Sequence, residues 1–92
     1  MSQSKLRDQS MDFAVQILNL VKKLKAQKET IVSNQIGRSG TSIGANIYEG
    51  QYAHGRADFI AKFQIALKEA NETGCWLELL YKTNYIGVLK NI

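Results

Sequence analysis

The sequence predicts an all-α protein, and three observations support this fold class. None of the 92 residues is proline, which favours long uninterrupted helices because proline breaks the hydrogen bonding inside a helix. Apolar residues recur along most of the chain at spacings of three and four, the period of one helix face. No stretch of useful length alternates between apolar and polar residues as a half-buried strand does. The length fits one helical-bundle domain, residues 1–92.

The first helix is predicted between about Asp8 and Lys28. Six apolar residues recur on one of its sides, and polar residues occupy the other. They are Phe13, Ala14, Ile17, Leu18, Val21 and Leu24. The segment ends with four lysines, where the helix macrodipole favours cations by about 0.3–1 kcal/mol each. They are Lys22, Lys23, Lys25 and Lys28.

The second helix is predicted from about Glu29 to Gly50, against its local propensity. The helical period continues through four apolar residues, namely Val32, Ile36, Ile43 and Ile47. Between them lie Gly37, Gly40 and Gly44, and an interior glycine costs about 1 kcal/mol relative to alanine. Their spacing places all three near one face of the helix. We therefore predict close packing against another helix at these glycines, because a face without side chains lets another backbone approach.

The third helix is predicted to begin near Arg56, after a connection over residues 50–55, and to run for some seven turns. Its apolar stripe is Phe59, Phe63, Ala66, Leu67, Ala70, Leu77, Leu80 and Tyr81. Trp76 and Leu79 lie outside this stripe and indicate a second apolar contact surface. The remaining residues, 84–92, end before they can complete another helix.

The excess positive charge is confined to the first half of the chain. Residues 1–46 carry seven cations and three anions, whereas residues 47–92 carry five of each. The candidate nucleic-acid-binding residues are therefore Lys22, Lys23, Lys25 and Lys28, since a cationic patch binds phosphate backbones through counterion release. The alternative is an ordinary solvated helix face. Three aromatic residues would stack bases if exposed, and are core residues otherwise: Tyr48, Tyr52 and Trp76.

The sequence lacks the patterns of catalytic and metal sites. Residues 37–44 supply the glycines of a phosphate-binding loop but not its lysine. His54 and Cys75 are too few for a four-ligand zinc site, and Cys75 in mid-helix is better interpreted as a buried, inert thiol. We therefore predict no enzyme, no catalytic residue, no metal and no cofactor.

A polar network is predicted between the second and third helices. Its expected members are Arg38, Asn46, Glu49 and Glu69. Arg38 and Glu49 are eleven residues apart, about three helical turns, and so share one face. Glu69 and Glu72 form a carboxylate pair that would suit Mg²⁺ in a nuclease. The favoured alternative leaves one glutamate solvated and pairs the other with Arg38 or Asn46 across the bundle.

The start of the chain lacks the apolar run of a secretory signal, and charge interrupts every later apolar stretch within a few residues. The single cysteine agrees with a reducing compartment. We therefore expect a cytoplasmic protein with no membrane partner.

Two long stretches carry a family resemblance. They are QIGRSGTSIGANIYEG (Gln35–Gly50) and DFIAKFQIALKEANET (Asp58–Thr73), followed by WLELL (Trp76–Leu80). Together they closely resemble the small bacterial proteins named after intervening sequences in 23S rRNA. The resemblance covers about residues 13–86.

This resemblance implies an antiparallel four-helix bundle that assembles as a homopentamer and is not an enzyme. Members are encoded within segments excised from large-subunit rRNA. The accessory protein of diversity-generating retroelements, which resembles them, is a basic pentamer associated with nucleic acid and a reverse transcriptase. Members usually carry a fourth helix after the turn that matches Asn84–Gly87. We expect that helix to be short or missing here, and a neighbouring subunit or a missing segment would then cover the apolar groove between the helices.

The combined expectation is a non-enzymatic, oligomeric helical-bundle protein that binds RNA or other nucleic acid through its lysines. The alternative is a protein-interaction scaffold for a partner such as a polymerase. In that alternative, apolar residues around Trp76 and Leu79 matter more than the lysines do.

Overall fold

The structure is a computed structural model that describes residues 3–87, with side chains from residue 5 onward. It contains three helices, α1 (Gln3–Ala26), α2 (Ile31–Gly50) and α3 (Arg56–Lys82), and no strand within the described range. The predicted all-α class is confirmed. Residues 83–87 form a turn and a bend, so residues 3–87 contain no fourth helix. The last part of the predicted tail, residues 88–92, lies outside the described residues. No helix in residues 3–87 is long and apolar enough to span a membrane.

The limits of α1 differ from the prediction at both ends. The helix begins at Gln3 rather than Asp8, and it ends at Ala26 rather than Lys28. Lys28 has a positive φ of 66°, and the Glu29 amide donates to the Leu24 carbonyl at 2.9 Å. This is the hydrogen bonding of a Schellman motif, in which a left-handed residue ends the helix. Lys28 therefore lies in the turn and not on the helix.

The carboxylate of Glu29 caps the N-terminal end of α2. This group accepts hydrogen bonds from the backbone amides of Ile31 at 3.1 Å, Val32 at 3.0 Å and Ser33 at 2.7 Å. The first amides of a helix have no partner within the helix, and they carry the positive end of its dipole. One side chain thus satisfies three donors and stabilises the start of a helix whose own propensity is poor.

The core lies where α2 packs against both of its neighbours. No Cα atom of α1 comes within 8 Å of one in α3, so α2 is the central helix. The buried apolar cluster draws on all three helices and consists of Ile17, Leu24, Val32, Ile36, Leu77 and Leu80. A hydrogen bond of 2.8 Å between the hydroxyls of Ser39 and Thr73 is buried between α2 and α3.

The predicted glycines of α2 face α1. A Cβ atom on Gly40 would lie 2.9 Å from the side chain of Ile17, closer than real Cβ contacts come. On Gly44 it would lie 3.3 Å from the backbone oxygen of Ser10. Gly37 is less crowded, since its nearest side-chain atom would be 3.4 Å away. Gly40 and Gly44 thus set how closely the two helices approach.

Candidate nucleic-acid interface

The four predicted lysines lie together at the C-terminal end of α1, and we call them the lysine cluster. Lys22, Lys23 and Lys25 occupy its last two turns, and Lys28 occupies the turn that follows. All four are exposed. None of them pairs with a carboxylate among the side chains of residues 5–87. Their charges are therefore not neutralised within the described part of the chain.

The polar cluster around Arg38 joins α2 to α3. Arg38 Nη1 donates to Glu69 Oε1 at 3.2 Å, and Arg38 Nη2 donates to Glu72 Oε2. The same Glu72 oxygen accepts a hydrogen bond of 3.0 Å from Trp76 Nε1. Both carboxylates of the proposed Mg²⁺ pair thus contact the arginine, whereas one of them was expected to be solvated. Within residues 3–87, no group of three or more His, Cys, Asp or Glu side chains has the arrangement of a metal site. The prediction of a buried thiol is wrong, since Cys75 is exposed on α3.

The other two members of the predicted network lie apart from Arg38. Asn46 Nδ2 donates to the Ser42 carbonyl at 2.8 Å, one turn back in the same helix. Lys62 Nζ donates to Glu49 Oε1 at 2.8 Å and forms a second bridge between α2 and α3. The expectation of one network is therefore wrong for Asn46, because a short amide side chain finds a local backbone partner first. Glu49 does join α2 to α3, but it lies about 16 Å along α2 from Arg38 and so forms a separate bridge.

The Glu49 bridge changes the titration of its partner. The hydrogen bond to Glu49 and the charge of that carboxylate raise the pKa of Lys62, although partial burial acts in the opposite direction. Lys62 therefore remains protonated to higher pH than a free lysine does, and its charge pairs with Glu49 on α2.

The candidate stacking residues are not beside the lysine cluster. Tyr48 and Tyr52 are exposed and lie close together, with ring centroids 5.7 Å apart. They occupy the C-terminal end of α2, about 25 Å along the helix axis from its start beside the lysines. Trp76 is half-buried, packs against the core and has its indole nitrogen bound to Glu72. Of the three candidates, Tyr48 and Tyr52 are thus exposed but distant from the lysines, and Trp76 is mainly a core residue.

A different aromatic residue lies at the lysine end. Tyr85 lines a shallow pocket of about 250 Å³ together with Glu29, Ile31 and Leu79. The helical period does not reveal it, because Tyr85 follows the end of α3. The sequence gives one indication of a turn here, namely the preceding Asn84, because asparagine tolerates the left-handed conformation with which many helices end. In the structure Asn84 has a φ of 69°.

Comparisons with known proteins agree on one family. A family model described as 23S rRNA-intervening sequence protein matches residues 2–90. A crystal structure of a protein of unknown function, from the S23 ribosomal protein family of Bacteroides thetaiotaomicron, matches with a TM-score of 0.90. That protein is 60% identical in sequence, and the match covers 94% of this chain and 78% of that chain. No curated protein matches the chain.

Proposed function

Because the chain belongs to the 23S rRNA-intervening sequence protein family over residues 2–90, we propose that it is a non-enzymatic, oligomeric helical-bundle protein that binds RNA or other nucleic acid. The lysine cluster is the binding surface. The supporting observation is that four exposed lysines within seven residues have no carboxylate partner among the described side chains. Such contacts to phosphates give affinity and position without reading a base sequence.

The test is a binding titration with a fluorescently labelled structured RNA at several salt concentrations. We expect affinity to fall steeply with salt, because each neutralised phosphate releases counterions. Replacing all four cluster lysines by glutamine should weaken binding to every RNA sequence alike. It should also reduce the slope of log K against log salt by about 3 to 4, near one unit per phosphate contact.

A matched control separates the position of the charges from their number. The control variant changes four lysines outside the cluster to glutamine and so removes the same net charge. These lysines are Lys5, Lys62, Lys68 and Lys82. We expect this control to keep most of the affinity and of the salt slope. Equal losses in the two variants, or binding that does not depend on salt, would refute the cluster as the binding surface.

The proposal includes an antiparallel bundle of the four-helix-bundle type. Gly40 lies against Ile17, and Gly44, one turn later in α2, lies against Ser10, which is earlier in α1. The two helices therefore run in opposite directions. The separation of α1 from α3 supports the same architecture, since diagonal helices of such a bundle do not touch. The homopentamer belongs to this proposal through the family resemblance. The cytoplasmic location belongs to it through the single cysteine, which agrees with a reducing compartment.

The alternative function, a protein-interaction scaffold, has one supporting observation. Leu79 is exposed and lines a shallow pocket with Cys75, Glu78 and Lys82. Trp76 gives it less support, because that ring packs against the core. A pull-down of a partner protein that survives replacement of the lysine cluster and fails with Leu79→Ser would favour the scaffold.

A further inference from the structure

We propose that the pocket at Tyr85 takes one unpaired base of a single-stranded nucleic acid, stacked on the tyrosine ring, while the lysine cluster binds the adjoining phosphates. This inference rests on the proposed function and assigns it a substrate class. It differs from the lysine cluster alone, which would bind single strands and duplexes by charge.

The backbone holds Tyr85 in a fixed position. Asn84 adopts the left-handed conformation, and the Tyr85 amide donates to the Leu80 carbonyl at 2.9 Å, in the same motif that ends α1. The side chain of Tyr85 remains 37% exposed. A backbone that this turn already holds loses little conformational freedom when a ligand stacks on the side chain.

The rest of the pocket is suited to a flat apolar ring. Ile31 is 78% exposed at the first position of α2, and Leu79 is 41% exposed on the last turns of α3. Large apolar side chains with this much exposure gain free energy when a ligand covers them. Stacking on an aromatic face tolerates all four bases, so we expect no strong sequence preference.

The charges near the pocket favour a ligand with phosphates. Glu29 is the acidic residue of its lining, and both of its carboxylate oxygens already accept hydrogen bonds from amides at the start of α2. Lys28 precedes Glu29 directly, so their Cα atoms are about 3.8 Å apart. A strand whose base occupies the pocket therefore has its phosphates beside the lysine cluster.

The pocket requires a base that is not paired. In a duplex the flat faces of the bases are covered by their neighbours, and an aromatic side chain reaches a face only where the base is splayed out. Loops, bulges and single-stranded ends meet this requirement. Single strands of RNA and of DNA both offer unpaired bases, and we expect both to bind because stacking does not involve the 2′-hydroxyl.

The experiment compares one labelled 12-nucleotide strand, as RNA and as DNA, free and annealed to its complement. We expect Tyr85→Ala to weaken single-strand binding by about 5- to 100-fold and to leave duplex binding unchanged. Tyr85→Phe should bind like the wild type, because it keeps the aromatic face. Tyr52→Ala is the matched control, since that tyrosine is more exposed and lies at the other end of α2.

The outcomes separate this inference from the proposed function. Equal losses for single strand and duplex, or no loss, in Tyr85→Ala would overturn the base site and leave the lysine cluster standing. A wild type that binds neither form would overturn both. If Tyr85→Ala fails to fold, the ring protons of Tyr85 in the wild type provide a second measurement. Their NMR signals should shift upfield on addition of the single strand, and unshifted signals at saturation would also refute the stacking.

Discussion

Glycine at position 40 determines the approach of α1 to α2, and its replacement is the sharpest test at the scale of single residues. In Gly40→Ala the new methyl group would lie 2.9 Å from Ile17. Overpacking of this kind costs about 1–3 kcal/mol, which exceeds the roughly 1 kcal/mol that alanine gains in helix propensity. We expect a lower free energy of unfolding in urea.

Gly74→Ala is the matched control for that change. Gly74 is also inside a helix, and apart from that helix's own nearby backbone and the two chain neighbours no atom of the described residues lies within 4 Å of its Cβ position. Alanine should therefore stabilise the protein by up to about 1 kcal/mol. Urea midpoints that move in the same direction for the two variants would contradict the close helix approach at Gly40.

The Glu49–Lys62 bridge predicts a pH dependence. Because the pKa of Lys62 is raised in the folded protein, the bridge stabilises the fold below the ordinary lysine pKa of 10.5. That contribution is lost as the pH rises through the folded-state pKa. Glu49→Gln removes the charge and weakens the hydrogen bond, so it should lower the pKa of Lys62 toward 10.5, measured by NMR titration of its side chain.

The control for this titration uses the other lysine bridge on α3. Glu78 pairs with Lys82 at 3.3 Å on an exposed surface. Glu78→Gln should leave the pKa of Lys62 unchanged. An unchanged Lys62 pKa in Glu49→Gln as well would mean that the bridge is not formed in solution.

At the scale of elements, α2 depends on its first turn. Glu29→Ala leaves three backbone amides without their acceptor, and losing a helix cap costs about 1–2 kcal/mol. We expect that loss in a urea denaturation. Glu29→Gln keeps an acceptor oxygen but not the charge, and it should fall between alanine and the wild type. Stability equal to the wild type in Glu29→Ala would show that the cap is not important.

The helices themselves could be predicted from the sequence because the apolar residues that become buried recur at spacings of three and four along each of them. The periodic apolar residues identify α2 as a helix even though its glycines oppose one. The ends were harder to predict. The segment from Gln3 to Arg7 carries a single apolar residue, Leu6, so it shows no period. Glu29 is not among the residue types that usually cap a helix.

The candidate site could be predicted only where it depends on one helix. Exposure of Lys22 and Lys23 follows from their position on the side of α1 away from its apolar residues. The partners of Arg38 depend on how α3 is placed against α2, and one helix pattern does not contain that information. Tyr85 could not be predicted for a related reason, since its place beside Glu29 arises only when the segment after α3 lies beside the start of α2.

At the scale of the whole molecule, the exposed apolar side chains predict association between copies of the chain. A chain of this size buries only about 60% of its unfolded surface. Exposed apolar side chains remain on α1, α2 and α3. We therefore expect light scattering to give a mass several times the 10.3 kDa of one chain, and five times that mass for a pentamer. A monomer at micromolar concentration would contradict the oligomeric part of the proposal.

The central position of α2 also has a consequence for folding kinetics. Because no Cα atom of α1 lies within 8 Å of one in α3, the closest helix packing joins helices that are consecutive in the chain. Such a low contact order is typical of domains that fold in microseconds to milliseconds. The helix with the poorest propensity is also the one on which both others depend, so its amides should exchange with solvent only when the whole molecule opens.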